Sequence, residues 1–286
     1  MGRVLNFLRC LAPVRLVIMI ALQFGALIGS AIVHNLISGR RVPGAQDAAV
    51  SLVLCAAMIG VYVLLVRLFE RRWPAELTPR PSWALLGLAL GCGLFCIVYG
   101  LLSVVGAAAW IGFQGFAGVG PALLLAALAA VGEELLFRGV LFRVLEASLG
   151  TSLAIAASAI VFGLLHAVNP GATIISTVAI ALEAGVMLAA AYAWSRTLWL
   201  PIALHLAWNF TEGGVFGAAV SGGHGHGSLF AIKLSASRSV LVTGGAFGPE
   251  ASLIAVAVCM ALGAIFILAA VRAGRWRPAA FRMILD

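Results

Sequence analysis

The run Pro121-Ala-Leu-Leu-Leu-Ala-Ala-Leu-Ala-Ala-Val-Gly-Glu133-Glu134-Leu-Leu-Phe-Arg138-Gly-Val-Leu-Phe-Arg143-Val-Leu145 sets two adjacent acids in the middle of an apolar stretch. A transmembrane helix takes about 20 residues, so the run is long enough to cross a bilayer. Its surroundings make that reading general. Of the 286 residues, 63% are hydrophobic and only 10% are charged, against roughly 25% charged in ordinary soluble domains. Mean hydropathy is +1.12. Too few polar side chains exist to coat a water-soluble globule, which disfavours a soluble enzyme, a disordered chain or a repeat scaffold.

Working outward from this run, seven further apolar stretches appear. They are Leu16–Ile37, Ala48–Phe69, Trp83–Val105, Thr151–Asn169, Gly171–Trp194, Leu198–Phe216 and Glu250–Val271. With Pro121–Leu145 fourth in order, the expectation is an all-α polytopic protein of about eight transmembrane helices. Lipid leaves a spanning segment no other way to satisfy its backbone except a barrel, and the alternation of a barrel is absent. A polar, proline-punctuated link runs from Glu70 to Pro81. Residues 106–121 read as a glycine-rich loop or turn, and 217–248 as a Gly/Ser/His stretch. No repeat or separate soluble domain is visible, so residues 1–286 read as a single transmembrane domain.

Basic residues set the orientation. Of 18, only Lys233 is a lysine. With an inside N-terminus, Arg40, Arg41, Lys233 and Arg238 fall outside and the other 14 inside. The positive-inside rule then places both termini in the cytoplasm and residues 217–248 outside. Arginines at the ends of apolar runs are topology signals, so the pI near 10.1 does not imply nucleic acid. The partners expected are membrane lipid and a peptide or membrane-protein substrate. The first run follows Arg3, Arg9 and Arg15 without a small-residue cleavage site and reads as an uncleaved span. The five cysteines, Cys10, Cys55, Cys92, Cys96 and Cys259, form no CxxC and read as small hydrophobes.

Ionisable groups within spans are costly and persist when paired or useful. Glu134 and Arg138 lie four apart on one helix face and suit an ion pair. Glu133 is rotated about 100° away and is free to face a cavity, where a carboxylate can serve as a general base. The fifth run ends in Phe162-Gly-Leu-Leu-His166, and the seventh carries His205-Leu-Ala-Trp-Asn209. His205 and Asn209 are one turn apart and both can donate hydrogen bonds to a developing negative charge. Each polar group alone also fits a helix–helix hydrogen bond. His166 stands about six residues from the middle of its run, so the helix is shifted or tilted, or Pro170 kinks rather than ends it. Together the acids, histidines and asparagine supply what water needs to attack an amide. HExxH is absent, although Glu133, His166 and His205 present three ligands for a divalent metal such as zinc. Glu183 and Glu212 are further candidates for lining a cavity. His224 and His226 suit a flexible loop better than a surface metal site, and Gly87-x-x-x-Gly91 suits close helix packing.

Glu133-Glu134-x-x-x-Arg138, Phe162-x-x-x-His166 and His205-x-x-x-Asn209, in this order, resemble the three motifs of the CPBP family. These are CAAX-protease and bacteriocin-processing intramembrane proteases related to the Rce1-type prenyl-protein endopeptidases. The resemblance covers about 121–216. Two stretches outside it, Glu70–Pro81 and Thr243–Ser252, are also similar to bacterial members. It implies an eight-helix fold and a catalytic cavity among the fourth to seventh helices. It also implies that Glu133 activates water with help from His166, that His205 and Asn209 form the oxyanion site, and that Glu134 and Arg138 support the helix. The family is described both as metal-independent and as metal-dependent, so the cofactor stays open between none and a divalent ion. The composition suits a bacterial inner-membrane protein. Rival readings from the same residues are a proton- or cation-coupled transporter, against which the lack of an inverted repeat weighs, and a non-catalytic scaffold or immunity protein.

Overall fold

The computed structural model describes residues 12–38, 45–223 and 227–279. Both termini, Cys10, Arg3, Arg9, Arg40, Arg41, Arg282, His224 and His226 lie outside the described residues. The described chain is an all-α, polytopic membrane fold. Helix α1 is Ala12–Ser38, α2 is Ala45–Leu65 extended by a π-helical stretch Val66–Glu70, and α3 is Pro81–Val104. Helix α4 begins as Val119–Glu134, widens into a π-helical stretch Leu135–Phe142, and continues to a break at Gly150. Helix α5 follows over 151–166. Helix α6 runs Ile174–Ile180, Ala181–Val186 (π-helical) and Met187–Ser195. Helix α7 is Trp199–Asn209 with a π-helical end, Phe210–Val215, and α8 is Leu253–Arg272.

Among the described residues, six helical runs are long and apolar enough to cross a membrane. The difference from eight has a simple origin. The expected fourth and fifth spans share one 48-residue run, Val119–His166, and the expected seventh is an 11-residue helix with a six-residue extension. Within the long run, Gly150 turns the chain with φ 77° and ψ 171°. A side chain there would also collide with Pro278. Thr151 restarts the helix. Its N–H donates to the Arg277 carbonyl (3.0 Å), and its hydroxyl donates to Glu146 (2.6 Å) and accepts from the Arg277 N–H (2.9 Å). The C-terminal segment thus straps the bend.

Apolar side chains face outward along most helices, with Leu36, Val104 and Ile174 each at least 79% exposed. Buried charge sits inside: Glu134, Arg138, Glu146, Glu183, Glu212 and Glu250. This inverted arrangement suits lipid as solvent. Helix α7 is enclosed, with Leu200 to His205, Ala207 and Trp208 buried. Gly87 and Gly91 of α3 make room for it. A Cβ on Gly87 would stand 2.6 Å from the Leu200 carbonyl oxygen, and one on Gly91 would collide with that of Leu204. The expectation of close packing through this pair is met, and the pair is what lets α7 enter the interior.

The Glu70–Pro81 link is a structured anchor. Arg72 and Arg143 both bind Glu70 at 2.7 Å, and Arg72 also grips Glu76 at 2.8 Å. Burial pushes the Glu76 carboxyl up, but Arg72, Tyr62 and Arg143 hold it below the usual carboxylate range. The link then fixes where α7 starts: Leu198 N–H donates to the Glu76 carbonyl at 2.9 Å and Trp199 Nε1 to Leu77 at 3.1 Å.

Two expectations need correction. Residues 106–121 are not simply a loop, because they hold strand β1, Ala108–Phe113. It pairs antiparallel with β2, Phe230–Leu234, inside the stretch expected to be loop. Six- and five-residue strands with a bulge between Trp110 and Gly112 give too little alternation to read. Pro170 does not kink α5, whose last helical residue is His166, capped by Ala167.

Candidate active site

The site is assembled from α4, α5, α6 and α7. Glu133 and Glu134 close the α-helical part of α4, where the wide turn begins. Wide turns leave carbonyls without regular partners and recur at functional sites. Glu134 is fully buried, and its Oε1 accepts from Arg138 Nη1 at 2.8 Å and from His205 Nδ1 at 3.0 Å. Arg138, also fully buried, donates its other amine to the Ala184 and Gly185 carbonyls at 3.0 and 3.1 Å, in the wide turn of α6. Its guanidinium stands 4.9 Å from the centre of the Phe162 ring. The expected ion pair is present, and its reach is larger than a single helix: it joins α4 to α6 and α7.

His166 is oriented by its own helix. Its Nδ1 lies 2.8 Å from the Phe162 carbonyl. A carbonyl only accepts, so Nδ1 carries the hydrogen. This leaves Nε2 facing Glu133, 3.9 Å from Oε2. That oxygen is buried and has no hydrogen-bond partner among the described residues, while the Glu133 side chain as a whole is 20% exposed. Gly163, between the two motif residues, lets α5 come against Thr177 and Ala181 of α6.

His205 is constrained in the opposite sense. Its Nδ1–H is spent on the Glu134 carboxylate. A neutral imidazole would then offer Nε2 only as an acceptor, so His205 donates to an oxyanion only as imidazolium. Having a carboxylate as partner favours that charged form. Asn209 follows one turn later, half-buried. His166, His205 and Asn209 line one narrow cavity of about 20 Å³, room for about one water. Glu133 does not. It lines a neighbouring cavity of about 320 Å³, with Leu27 and His34 of α1 and Met58 of α2. The acid therefore stands between the two spaces, touching the first through His166.

Glu183 lines the smaller cavity, and Glu212 lies outside its wall. Sequence reasoning missed Glu250 as a member of this wall. It sits in a short 3-10 turn, Pro249–Ala251, where it accepts the Ser221 N–H at 2.6 Å. The signal available was a charged residue at the start of the last apolar run. The three-ligand metal option fits the spacing of Glu133, His166 and His205 poorly. Among the described residues no three His, Cys, Asp or Glu side chains gather at metal-ligand spacing. Both histidine Nδ1 atoms are engaged, by a carbonyl and a carboxylate, which leaves each Nε2 open, so the misfit lies in the spacing and not in the ring nitrogens.

No curated protein and no solved structure matches the chain. Residues 114–211, about a third of the chain and the stretch holding all three motifs from Glu133 to Asn209, match the Rce1-like family model, described as Type II CAAX prenyl endopeptidase Rce1-like, so this core is similar to the Rce1-like endopeptidases.

Proposed function

We propose that the protein is an intramembrane endopeptidase in which Glu133 activates water against a peptide carbonyl. The similarity to Rce1-like proteins implies a CAAX-type protease. The observation that carries the mechanism is the 3.9 Å gap between His166 Nε2 and an unpartnered, buried Glu133 Oε2. A polar separation beyond about 3.5 Å suits a bridging water. Glu133 takes one proton from that water while Nε2 accepts its other hydrogen. The water oxygen bonds to the carbonyl carbon, and the carbonyl electrons move to oxygen. His205, as imidazolium, and Asn209 donate to this oxyanion. As the C–N bond breaks, the proton held by Glu133 passes to the amine nitrogen, directly or through His166. The products are a carboxylic acid and an amine.

The test is a comparison of membrane peptides with and without Glu133→Gln in the chain. Uncleaved precursors should accumulate in the variant, and an unchanged peptide population would sink the reading. Substrates are taken to be membrane-associated peptides or proteins, without assigning a prenyl group.

The proposed setting is a bacterial inner membrane with both termini cytoplasmic, supported by the 14-to-4 split of basic residues. Reporters fused after Asp286 and near Gly225 should report opposite sides. Both on one side would overturn the orientation.

A further inference from the structure

The two-stranded sheet of β1 and β2 has unlike faces. In its antiparallel register Trp110 pairs with Ile232 and Phe113 with Phe230, and paired residues point to the same side. The bulge between Trp110 and Gly112 is what brings Trp110 and Phe113, three residues apart, to one face. Their rings meet there: Trp110 and Phe230 have centroids 4.4 Å apart, Phe113 and Phe230 6.0 Å, and Phe113 and Phe116 5.5 Å. At one end of this face Ala108, Ile232 and Leu234 pack on the core. At the other, Trp110, Phe113 and Phe116 are each at least 51% exposed. Lys233 pairs with Ala109 and so points to the opposite side. Arg238 comes to the start of the same strand, where a Cβ on Gly106 would stand 3.3 Å from its guanidinium.

The sheet is tethered at the edge of the bilayer. Helix α3 has 24 residues, or about 36 Å at 1.5 Å each, against a hydrocarbon core of about 30 Å. Its last residue, Val104, is exposed, and β1 begins at Ala108, with α4 following from Val119. This places the strands at headgroup level, where aromatic rings concentrate and long basic side chains reach the phosphates. Charge points the same way. In the proposed orientation Lys233 and Arg238 are the described exceptions to the positive-inside pattern, and both are exposed beside this sheet. Anionic phosphate at the outer surface gives these two cations a partner.

We propose that the β1–β2 sheet is an interfacial lipid-binding element: Trp110, Phe113 and Phe116 enter the outer edge of the acyl chains, while Lys233 and Arg238 take the headgroup of an anionic phospholipid. The bulge, the aromatic face and the opposed lysine make the sheet amphipathic across its thickness, as an interfacial helix is around its axis. The inference does not depend on proteolysis.

The test is lipid quenching of tryptophan emission. Full-length protein is placed in phosphatidylcholine nanodiscs holding a minor fraction of brominated phosphatidylglycerol, or the same fraction of brominated phosphatidylcholine. Subtracting the signal of Trp110→Phe isolates Trp110 from the other six tryptophans. Trp110 emission should be quenched by both lipids, and at least about twofold more by the phosphatidylglycerol. The excess should vanish in about 1 M salt, where charges are screened beyond about 3 Å, and in Lys233→Gln with Arg238→Gln, while quenching by phosphatidylcholine persists. Phe116→Trp gives a second reporter on the same face, read as its difference from wild type, so the result does not hang on the folding of Trp110→Phe. No quenching at either position overturns the inference; it would mean that water, a second copy or a peptide covers the face. Equal quenching by both lipids overturns the anionic headgroup site and leaves Lys233 as an ordinary edge-strand charge.

Discussion

Glu133→Gln should leave a folded, membrane-inserted protein whose peptide cleavage falls by about 10²–10⁴-fold, the usual contribution of a positioned acid–base group. The amide keeps the size of the carboxyl but cannot take a proton from water. Folding should be little affected, because Glu133 Oε2 makes no hydrogen bond and the side chain is 20% exposed beside a cavity. The proposed water would lose its base but keep His166, whose Nδ1 stays on the Phe162 carbonyl. The measurement is turnover of a fluorogenic peptide by purified protein, next to a melting curve. Near-normal turnover would remove Glu133 from the chemistry.

Glu134→Gln should act on stability and catalysis together. It leaves Arg138 as a charge buried without compensation, a loss that typically costs about 3–5 kcal/mol. It also takes the carboxylate from His205 Nδ1, now 3.0 Å away, and with it the reason for His205 to stay protonated. Cleavage should therefore fall further than the lost folded fraction explains. A double change, Glu134→Gln with Arg138→Met, should regain part of the melting temperature, since the lone charge is gone. It should not regain cleavage, since His205 still lacks its partner. Recovery of both would mean that His205 works without Glu134. A stable, inactive Glu134→Gln beside an active Glu133→Gln would mean that the two acids have been given each other's roles.

The spans and the three motifs were legible because both are local. Apolar length marks a helix in lipid, and Glu134–Arg138, Phe162–His166 and His205–Asn209 are neighbours on single helices. What joins those helices is not local. The Glu134–His205 bond crosses 71 residues, and nothing in either segment names the other. Without it, Glu134 reads as a helix-supporting partner of Arg138 only, and His205 as a donor in any protonation state. Glu133 was expected to share one cavity with His166, His205 and Asn209. Its rotation away from Glu134 was readable, but the space between α1, α2 and α4 that receives it was not. The bend at Gly150 falls in the gap that the sequence leaves between the runs Pro121–Leu145 and Thr151–Asn169; what was hidden is the segment that holds it, at Arg277, 126 residues from Thr151.

The wide turns of α4, α6 and α7 are phase slips in the helical code. At 100° per residue, a stripe read upstream of Leu135 cannot be carried through to Arg143, because the π-helical stretch lies between them. Spacing therefore has different force in different motifs. Phe162-x-x-x-His166 and His205-x-x-x-Asn209 each lie on unbroken α-helix, so their intervals of four fix a shared face. Glu134-x-x-x-Arg138 straddles the start of a slip, and its meaning depends on the slip being kept. In an alignment, a one-residue gap between Glu134 and Arg138 would mark a wide turn gained or lost, and would swing the arginine off the carbonyls of α6 while leaving Glu133 where it stands.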